Sequence, residues 1–192
     1  MTSQKQRNLA AMFEIFDVDA DGHITAADFA AHADNTCGAL RLPAGSPHWR
    51  TIHTALDAWW HHLRRHSADI NSSDINSADV TGRIPAADCV TIMETRLVDD
   101  DTFFDSTVGP IAETVFHVLD TDGDAVISTA EYVAIYLASG LSEQIALDAF
   151  ARIDTDGDGR IDIGEFVAVV RDAFTSDDPD SPGAWFFGTP PG

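Results

Sequence analysis

Apolar residues recur at spacings of three and four in several parts of the chain, and this periodicity predicts amphipathic helices. Leu9, Phe13 and Phe16 form one such series near the start of the chain. A longer series lies in Ser46–Arg65 and predicts a long helix with a broad apolar face. The apolar positions of this helix are Trp49, Ile52, Leu56, Trp59, Trp60 and Leu63.

Three polar stretches of twelve residues interrupt the helical periodicity. They are Asp17–Asp28, Asp120–Glu131 and Asp154–Glu165. Apolar pairs precede the second and third stretches, and an aromatic residue stands one place beyond each of the three. These residues are Phe116, Leu119, Phe150 and Ile153 before the stretches, and Phe29, Tyr132 and Phe166 after them. Their recurrence at fixed offsets indicates that they belong to a hydrophobic core.

Acidic residues stand at alternate places of each stretch. Asp154–Glu165 alone contains five acids and three glycines, a composition that disfavours both a helix and a buried strand. When such a loop curls, oxygens from its first, third, fifth, seventh, ninth and twelfth residues can surround a hard cation at about 2.3–2.6 Å. The ion would offset the repulsion between the acids, so we predict three Ca²⁺ sites. The candidate ligands, with a backbone carbonyl at the seventh place, are Asp17, Asp19, Asp21, His23, Thr25 and Asp28; Asp120, Asp122, Asp124, Val126, Ser128 and Glu131; and Asp154, Asp156, Asp158, Arg160, Asp162 and Glu165.

In these stretches the chain resembles the EF-hand family, whose loops carry the pattern D-x-D-x-D-G-x-x-x-x-x-E. EF-hands pair through a short strand at the eighth residue of each loop, so a fourth hand is expected between the first and the third. Ser77–Asp88 stands there as a degenerate loop that keeps the turn glycine Gly82 and the strand residue Ile84. It retains only two carboxylates, Asp79 and Asp88, and we expect it to bind no ion and to pair with the first loop.

Two of the three intact loops depart from the EF-hand pattern. Ala125 stands at the sixth place of the third loop, where a positive φ would cost about 1–2 kcal/mol. Asp28 closes the first loop and is one methylene shorter than Glu, so we expect Mg²⁺ to compete with Ca²⁺ there.

The order of intact and degenerate loops, together with an aromatic tail, resembles the sarcoplasmic calcium-binding protein and calerythrin type of EF-hand protein. The resemblance implies an all-α fold of four EF-hands in two pairs, each pair with a short two-stranded β link, in one compact globule. It implies an N-terminal pair in residues 1–100, a C-terminal pair in 101–174 and a tail in 175–192. Trp185, Phe186 and Phe187 are expected to pack on the core and cover an apolar cleft, with a partner-binding tail as the alternative.

The net charge of the chain limits the kinds of partner that it can bind. There are 32 acids against 11 bases, a net charge of −21, which disfavours nucleic acid and anionic membranes and favours cations. The chain lacks a signal-peptide pattern and an apolar run of 18 residues, so we predict a cytoplasmic monomer. The excess of arginine over the single lysine, Lys5, suggests a GC-rich bacterial genome, and we expect Cys37 and Cys89 to be reduced thiols.

No catalytic motif is found in the chain. His62 and His66 stand one helical turn apart, but Leu63 takes the place of the general-base Glu of a metalloprotease, so we interpret them as a helix face rather than a Zn²⁺ site. We therefore predict a protein that is not an enzyme.

The methionine content bears on the role of the three Ca²⁺ sites. The chain has only three methionines, whereas Ca²⁺ sensors use Met-rich grooves. We predict a Ca²⁺ buffer or transport protein with an unknown protein partner. A Ca²⁺-dependent regulator and a carrier of a small hydrophobic ligand are the alternatives.

Overall fold

A computed structural model describes residues 3–70, 82–97, 100–138 and 143–185. Within these ranges the protein is mostly helical and carries four short strands. The helices are α1 (Gln4–Phe16), α2 (Ala26–Ala39), α3 (Pro47–Ile70), α4 (Ala86–Ile92), α5 (Asp101–Ser106), α6 (Val108–Leu119), α7 (Thr129–Ala138), α8 (Glu143–Ile153) and α9 (Ile163–Thr175). The strands are β1 (His23–Ile24), β2 (Ile84–Pro85), β3 (Val126–Ser128) and β4 (Arg160–Asp162).

The strands form two antiparallel pairs that join the loops as predicted. β1 pairs with β2, so that Ile24 of the first loop faces Ile84 of the degenerate loop. β3 pairs with β4, so that Ile127 faces Ile161. Each isoleucine is the eighth residue of its loop and is at most 2% exposed. Two paired EF-hand units, each with a two-stranded β link, confirm the predicted fold class.

One hydrophobic core runs through both pairs, and Trp59 of α3 contacts aromatic rings from several of its helices. The Trp59 ring is 5.0 Å from Phe16 of α1, 5.5 Å from Phe103 of α5 and 5.8 Å from Phe174 of α9, measured between centroids. The predicted core aromatics that follow the three loops are buried, and these are Phe29, Tyr132 and Phe166.

The long helix extends further than its apolar pattern predicted. It runs from Pro47 to Ile70, so its last turn includes residues whose Ser- and Asp-rich composition indicates turns. The helix that precedes the degenerate loop is therefore longer than predicted at its C-terminal end. After α4 the chain continues in one wider turn of π-helix, Met93–Leu97, which the sequence did not indicate.

The end of the described chain packs against its beginning. A short 3₁₀ turn, Pro182–Trp185, lies on α9, where the Gly183 N–H donates to Asp172 Oδ2 at 2.7 Å. Gln4 Nε2 of α1 donates to the Ala184 carbonyl at 2.9 Å. Phe186, Phe187 and the side chain of Trp185 lie outside the described residues, so the packing of the aromatic tail remains a prediction.

Cys37 and Cys89 are both buried and form no disulfide. Burial raises the pKa of the Cys89 thiol to about 12. Among the helices described here, none combines the length and the apolar character needed to cross a membrane.

Candidate metal centres

The first carboxylate of the third loop organises the loop backbone. Asp120 accepts hydrogen bonds from the N–H groups of Gly123 at 2.8 Å, Asp124 at 3.1 Å and Ala125 at 3.1 Å. Ala125 has a φ of 69°, the positive value predicted for the sixth place. The loop therefore curls around its first carboxylate at the cost of one strained alanine.

The last carboxylate of this loop closes it from the other side. One oxygen of Glu131 accepts from the Thr121 N–H and hydroxyl, both at 2.8 Å. The other accepts from the Ser128 N–H at 2.9 Å and its hydroxyl at 2.8 Å. These bonds, with the Ser128 N–H first, favour the ionised form and lower the pKa of Glu131 to about 2.

The fourth loop repeats this hydrogen-bond pattern. Asp154 accepts from the N–H groups of Gly157, Asp158 and Gly159 at 2.9, 3.1 and 3.0 Å. Glu165 accepts from the Thr155 N–H and hydroxyl at 2.9 Å. Burial acts to raise the pKa of Glu165, but its hydrogen bonds outweigh this effect, and the pKa lies below its ordinary value.

The first loop departs from the other two at its closing residue. One oxygen of Asp28 accepts from the Thr25 N–H at 2.9 Å and its hydroxyl at 2.6 Å, and Asp28 is 5% exposed. The side chain makes no hydrogen bond to the second place of its loop, Val18, whereas Glu131 and Glu165 reach the threonines at that place. Asp28 is one methylene shorter than the two glutamates, and Val18 has no hydroxyl, so the first loop lacks this link between its second and twelfth places.

Three groups of carboxylates converge in the part of the chain that the structure describes. In each group, one oxygen from each residue lies within 4.8 Å of the others. Carboxylate oxygens that lie this close together could hold one metal ion between them, and carboxylates are ligands that Ca²⁺ prefers. The groups are Asp17, Asp19 and Asp28; Asp120, Asp122 and Glu131; and Asp154, Asp156 and Glu165.

The aspartates at the fifth places are not members of these groups. Each accepts a hydrogen bond from the N–H of the seventh residue of its loop, at 3.0 Å for Asp21, 3.1 Å for Asp124 and 2.8 Å for Asp158. The seventh residues, His23, Val126 and Arg160, all lie in the strands, and the ninth residues are Thr25, Ser128 and Asp162. The donor set of each loop is made of oxygens only, which suits a hard cation.

Three features of these loops were not predicted from the sequence. Ala20, at the fourth place of the first loop, has a φ of 56° where Gly123 and Gly157 stand in the other loops. Thr121 and Thr155 hold the closing glutamates, and their shared second place is a signal that the sequence offers. Arg83 Nη2 contacts Asp21 Oδ2 at 2.6 Å, and nothing local in the sequence indicates this pair.

The degenerate loop keeps the turn that its sequence predicts. Gly82 has a φ of 74°, and Ile84 lies in β2. Residues 77–81 lie outside the described ranges, so the absence of an ion from this loop stays a prediction. His62, considered above as a possible Zn²⁺ ligand, places its Nε2 3.3 Å from Ser106 Oγ and its ring edge-on to Phe103.

A small apolar cavity of about 210 Å³ lies between the two pairs of hands. Its walls come from α1, α2, α3, α6 and α9. Aromatic side chains in these walls are Phe16, Trp59, Phe166 and Phe174.

Comparisons with known proteins agree with these loops. The EF-hand domain pair family matches residues 110–171, and the EF hand family matches residues 9–31. Calerythrin of Saccharopolyspora erythraea is 25% identical over 143 residues, which are 74% of this chain and 76% of calerythrin.

Solved structures with a similar fold include a Streptomyces coelicolor calcium-binding protein, described as a structural basis for prokaryotic calcium-mediated regulation, which is 31% identical to this chain. The match covers 89% of this chain and 98% of that one, with a TM-score of 0.61. A sarcoplasmic calcium-binding protein from amphioxus shares the fold at 18% identity, with 98% of each chain covered and a TM-score of 0.64.

Proposed function

Since the chain belongs to the EF-hand calcium-binding proteins and is related to calerythrin, we propose that it is a Ca²⁺ buffer of the bacterial cytoplasm that binds three ions. The observation that carries the proposal is the convergence of carboxylates in three separate groups. The members of each group come from the first, third and twelfth places of one EF-hand loop. Three divalent ions would offset six of the 21 net negative charges. We propose a monomer that binds neither nucleic acid nor anionic membranes, with EF-hand pairs in residues 1–100 and 101–174.

Each ligand has a role set by its place in the loop. The carboxylates at the first, third and fifth places bind through side chains, and His23, Val126 and Arg160 offer backbone carbonyls. Thr25, Ser128 and Asp162, at the ninth places, bind directly or through a water. Glu131 and Glu165 are long enough to offer two oxygens, whereas Asp28 is not, so Mg²⁺ competes at the first site.

The small number of methionines supports a buffer. Beyond the first residue the chain has only Met12 and Met93, which are too few for the Met-rich groove of a sensor. A sensor would need such a groove to open when Ca²⁺ binds. Binding without catalysis is part of the proposal, because the convergent carboxylates are arranged to hold a cation.

A Ca²⁺-dependent regulator is the second candidate, because the Streptomyces coelicolor relative is described in terms of calcium-mediated regulation. The two roles differ in what Ca²⁺ does to the apolar surface. A regulator exposes it when Ca²⁺ binds, and a fluorescent hydrophobic dye then binds more strongly. A buffer covers it, and dye binding falls.

A carrier of a small hydrophobic ligand is the third candidate. The apolar cavity of about 210 Å³ could hold such a molecule. It is smaller than the roughly 300–1,000 Å³ of common ligand pockets, which is why this role ranks last.

Calorimetric titration with Ca²⁺ tests the proposed function. The full chain should bind three ions, and Asp17→Asn, Glu131→Gln and Glu165→Gln should each weaken or remove one. Asp88→Asn in the degenerate loop is the matched control and should still bind three. Fewer than three ions in the full chain, or the loss of one in Asp88→Asn, would refute the assignment of the sites.

A further inference from the structure

An arginine of the degenerate loop contacts a candidate ligand of the first loop. Arg83 Nη2 lies 2.6 Å from Asp21 Oδ2 and 3.2 Å from His23 Nδ1. The other Asp21 oxygen accepts the His23 N–H at 3.0 Å. Both oxygens of the fifth-place carboxylate are therefore engaged, one of them by a full positive charge.

This ion pair is not a general consequence of pairing two EF-hand loops. In the C-terminal pair, Arg160 is the seventh residue of the fourth loop and faces Ser128 of the third. Arg83 is likewise a seventh residue, and the register of β1 with β2 places it next to the paired Ile84. Yet no ion pair joins Arg160 to Asp124, the fifth-place carboxylate of the third loop, in the described part of the chain.

We propose that Arg83 is a tethered counter-cation of the first loop, which stabilises this loop when it holds no metal and lowers its affinity for Ca²⁺. The inference rests on the proposed function and adds a determinant of affinity to one of its sites. The guanidinium offsets part of the repulsion among the four aspartates of the loop. An incoming ion must either displace it from Asp21 or bind beside a fixed positive charge, and both cost affinity.

Exposure limits the size of this effect. The side chains of Arg83 and Asp21 are 40% and 35% exposed, so water and salt screen the pair. Such pairs contribute modestly, and removing the arginine should tighten Ca²⁺ binding at the first loop by about two- to fivefold. The metal-free protein should at the same time become less stable. If Arg83 had only a structural role, its removal would lower both the Ca²⁺ affinity of the first loop and the stability of the metal-free protein. A rise in affinity together with a loss of stability therefore identifies Arg83 as a counter-cation.

The test is a Ca²⁺ titration followed by nuclear magnetic resonance in the full chain. The Gly22 N–H donates to Asp17 Oδ2 at 2.9 Å and reports on the first loop, and the Gly159 N–H, bonded to Asp154 Oδ2 at 3.0 Å, reports on the fourth. Arg83→Gln removes the charge, and Arg83→Lys keeps it. Arg96→Gln, in the π-helical turn after α4, removes the same formal charge from an exposed position outside the loops.

In Arg83→Gln, the Gly22 signal should saturate at about two- to fivefold lower Ca²⁺, while the Gly159 signal keeps its midpoint. The thermal midpoint of the metal-free protein should fall. Arg83→Lys should restore most of the wild-type affinity, and Arg96→Gln should match the wild type. The inference is wrong if Arg83→Gln titrates like Arg96→Gln, or if it binds Ca²⁺ more weakly. A Gly22 signal that does not respond to Ca²⁺ even in the wild type would instead refute the first site of the proposed function.

Discussion

Ala125 stands at the one sixth-place position where the described loops lack glycine, and its φ of 69° is unfavourable for a residue with a Cβ. The strain is about 1–2 kcal/mol. Ala125→Gly removes it but also loosens the unbound loop, which opposes the gain by about 0.4–1 kcal/mol. We expect Ca²⁺ affinity at the third loop to rise by a few-fold, equivalent to somewhat under about 1 kcal/mol. A site-resolved titration measures this change.

Gly159→Ala is the matched variant in the fourth loop. Gly159 has a φ of 82°, and a Cβ added there would meet nothing within 4 Å, so the cost is backbone strain alone. Affinity at the fourth loop should fall by a similar factor. If Ala125→Gly leaves the third site unchanged or weaker, strain at the sixth place does not limit binding.

Glu131 should remain ionised in unusually acidic solution. Its pKa is about 2 in the folded protein, against about 4.3 in an unfolded chain. Because folding lowers this pKa, the stability that Glu131 contributes is complete above the unfolded pKa and is lost as the pH falls towards 2. In the metal-free protein, the carboxyl carbon resonance should titrate well below pH 4. Ser128→Ala, which lacks the hydroxyl donor, should raise the midpoint, and a wild-type midpoint near 4.3 would contradict the hydrogen-bond geometry.

The features of the sites that could be predicted from the sequence are local ones. The positive φ of Ala125 follows from alignment of the third loop with the fourth, because every place in the pattern has one geometric role. The pair between Arg83 and Asp21 joins residues 62 positions apart, and no local pattern encodes it. The positive φ of Ala20 could not be predicted, because the EF-hand pattern has no fixed residue at its fourth place.

At the scale of elements, the β links explain what the degenerate loop contributes. Ile84 has a relative exposure of 2% and pairs with the fully buried Ile24 of the first loop. The degenerate hand thus completes the core and pairs with the first loop, although its own loop retains only two carboxylates.

Truncation of this isoleucine should reveal the effect of that pairing. Ile84→Ala should lower the free energy of unfolding by about 2–4 kcal/mol, because it leaves a cavity in the core. It should also weaken Ca²⁺ binding at the first loop. Urea unfolding measures the first effect, with Ile15→Ala, at a residue that is 46% exposed, expected to change stability by less than about 0.5 kcal/mol. Equal effects of the two substitutions would mean that the β link carries little stability.

Element types were easier to predict than their ends. The period of the apolar residues in α3 predicted a helix, but the helix continues to Ile70 through a turn-like composition. Once a long helix has formed, adding one more residue to it costs little, so the helix can continue through residues of weak local preference. The π-helical turn at Met93–Leu97 depends on a single shifted hydrogen-bond register, which hydrophobic periodicity does not report.

At the scale of the whole molecule, the C-terminal turn connects the two ends of the described chain. Gly183 lies so close to α9 that an added Cβ would come within 2.7 Å of Val169 O. Ala184 is 1% exposed and binds Gln4 through its carbonyl. The turn therefore contacts helices of both EF-hand pairs.

Gly183→Ala should displace this turn. Because the obstructing atoms belong to the α9 backbone and cannot move aside, we expect a loss of about 1–3 kcal/mol in the free energy of unfolding. Binding of a hydrophobic dye should increase as the surface beneath the turn opens. Gly38→Ala in α2 is the control, since its Cβ would meet nothing within 4 Å. If both variants have the same thermal midpoint as the wild type, the turn adds no stability.

The contacts of Gln4 and Asn8 set an order of events during protein synthesis. Both amides are buried, and their acceptors, the carbonyls of Ala184 and Ala173, follow 180 and 165 residues later. A ribosome adds about 5–20 residues per second, so roughly ten to forty seconds pass before the acceptors exist. Gln4 Nε2 can already donate to Asn8 Oδ1 within α1, but until then the Asn8 amide nitrogen must stay in water, because an unpaired buried donor costs about 1–3 kcal/mol. The first hand to be translated is therefore completed only after the last hand has left the exit tunnel.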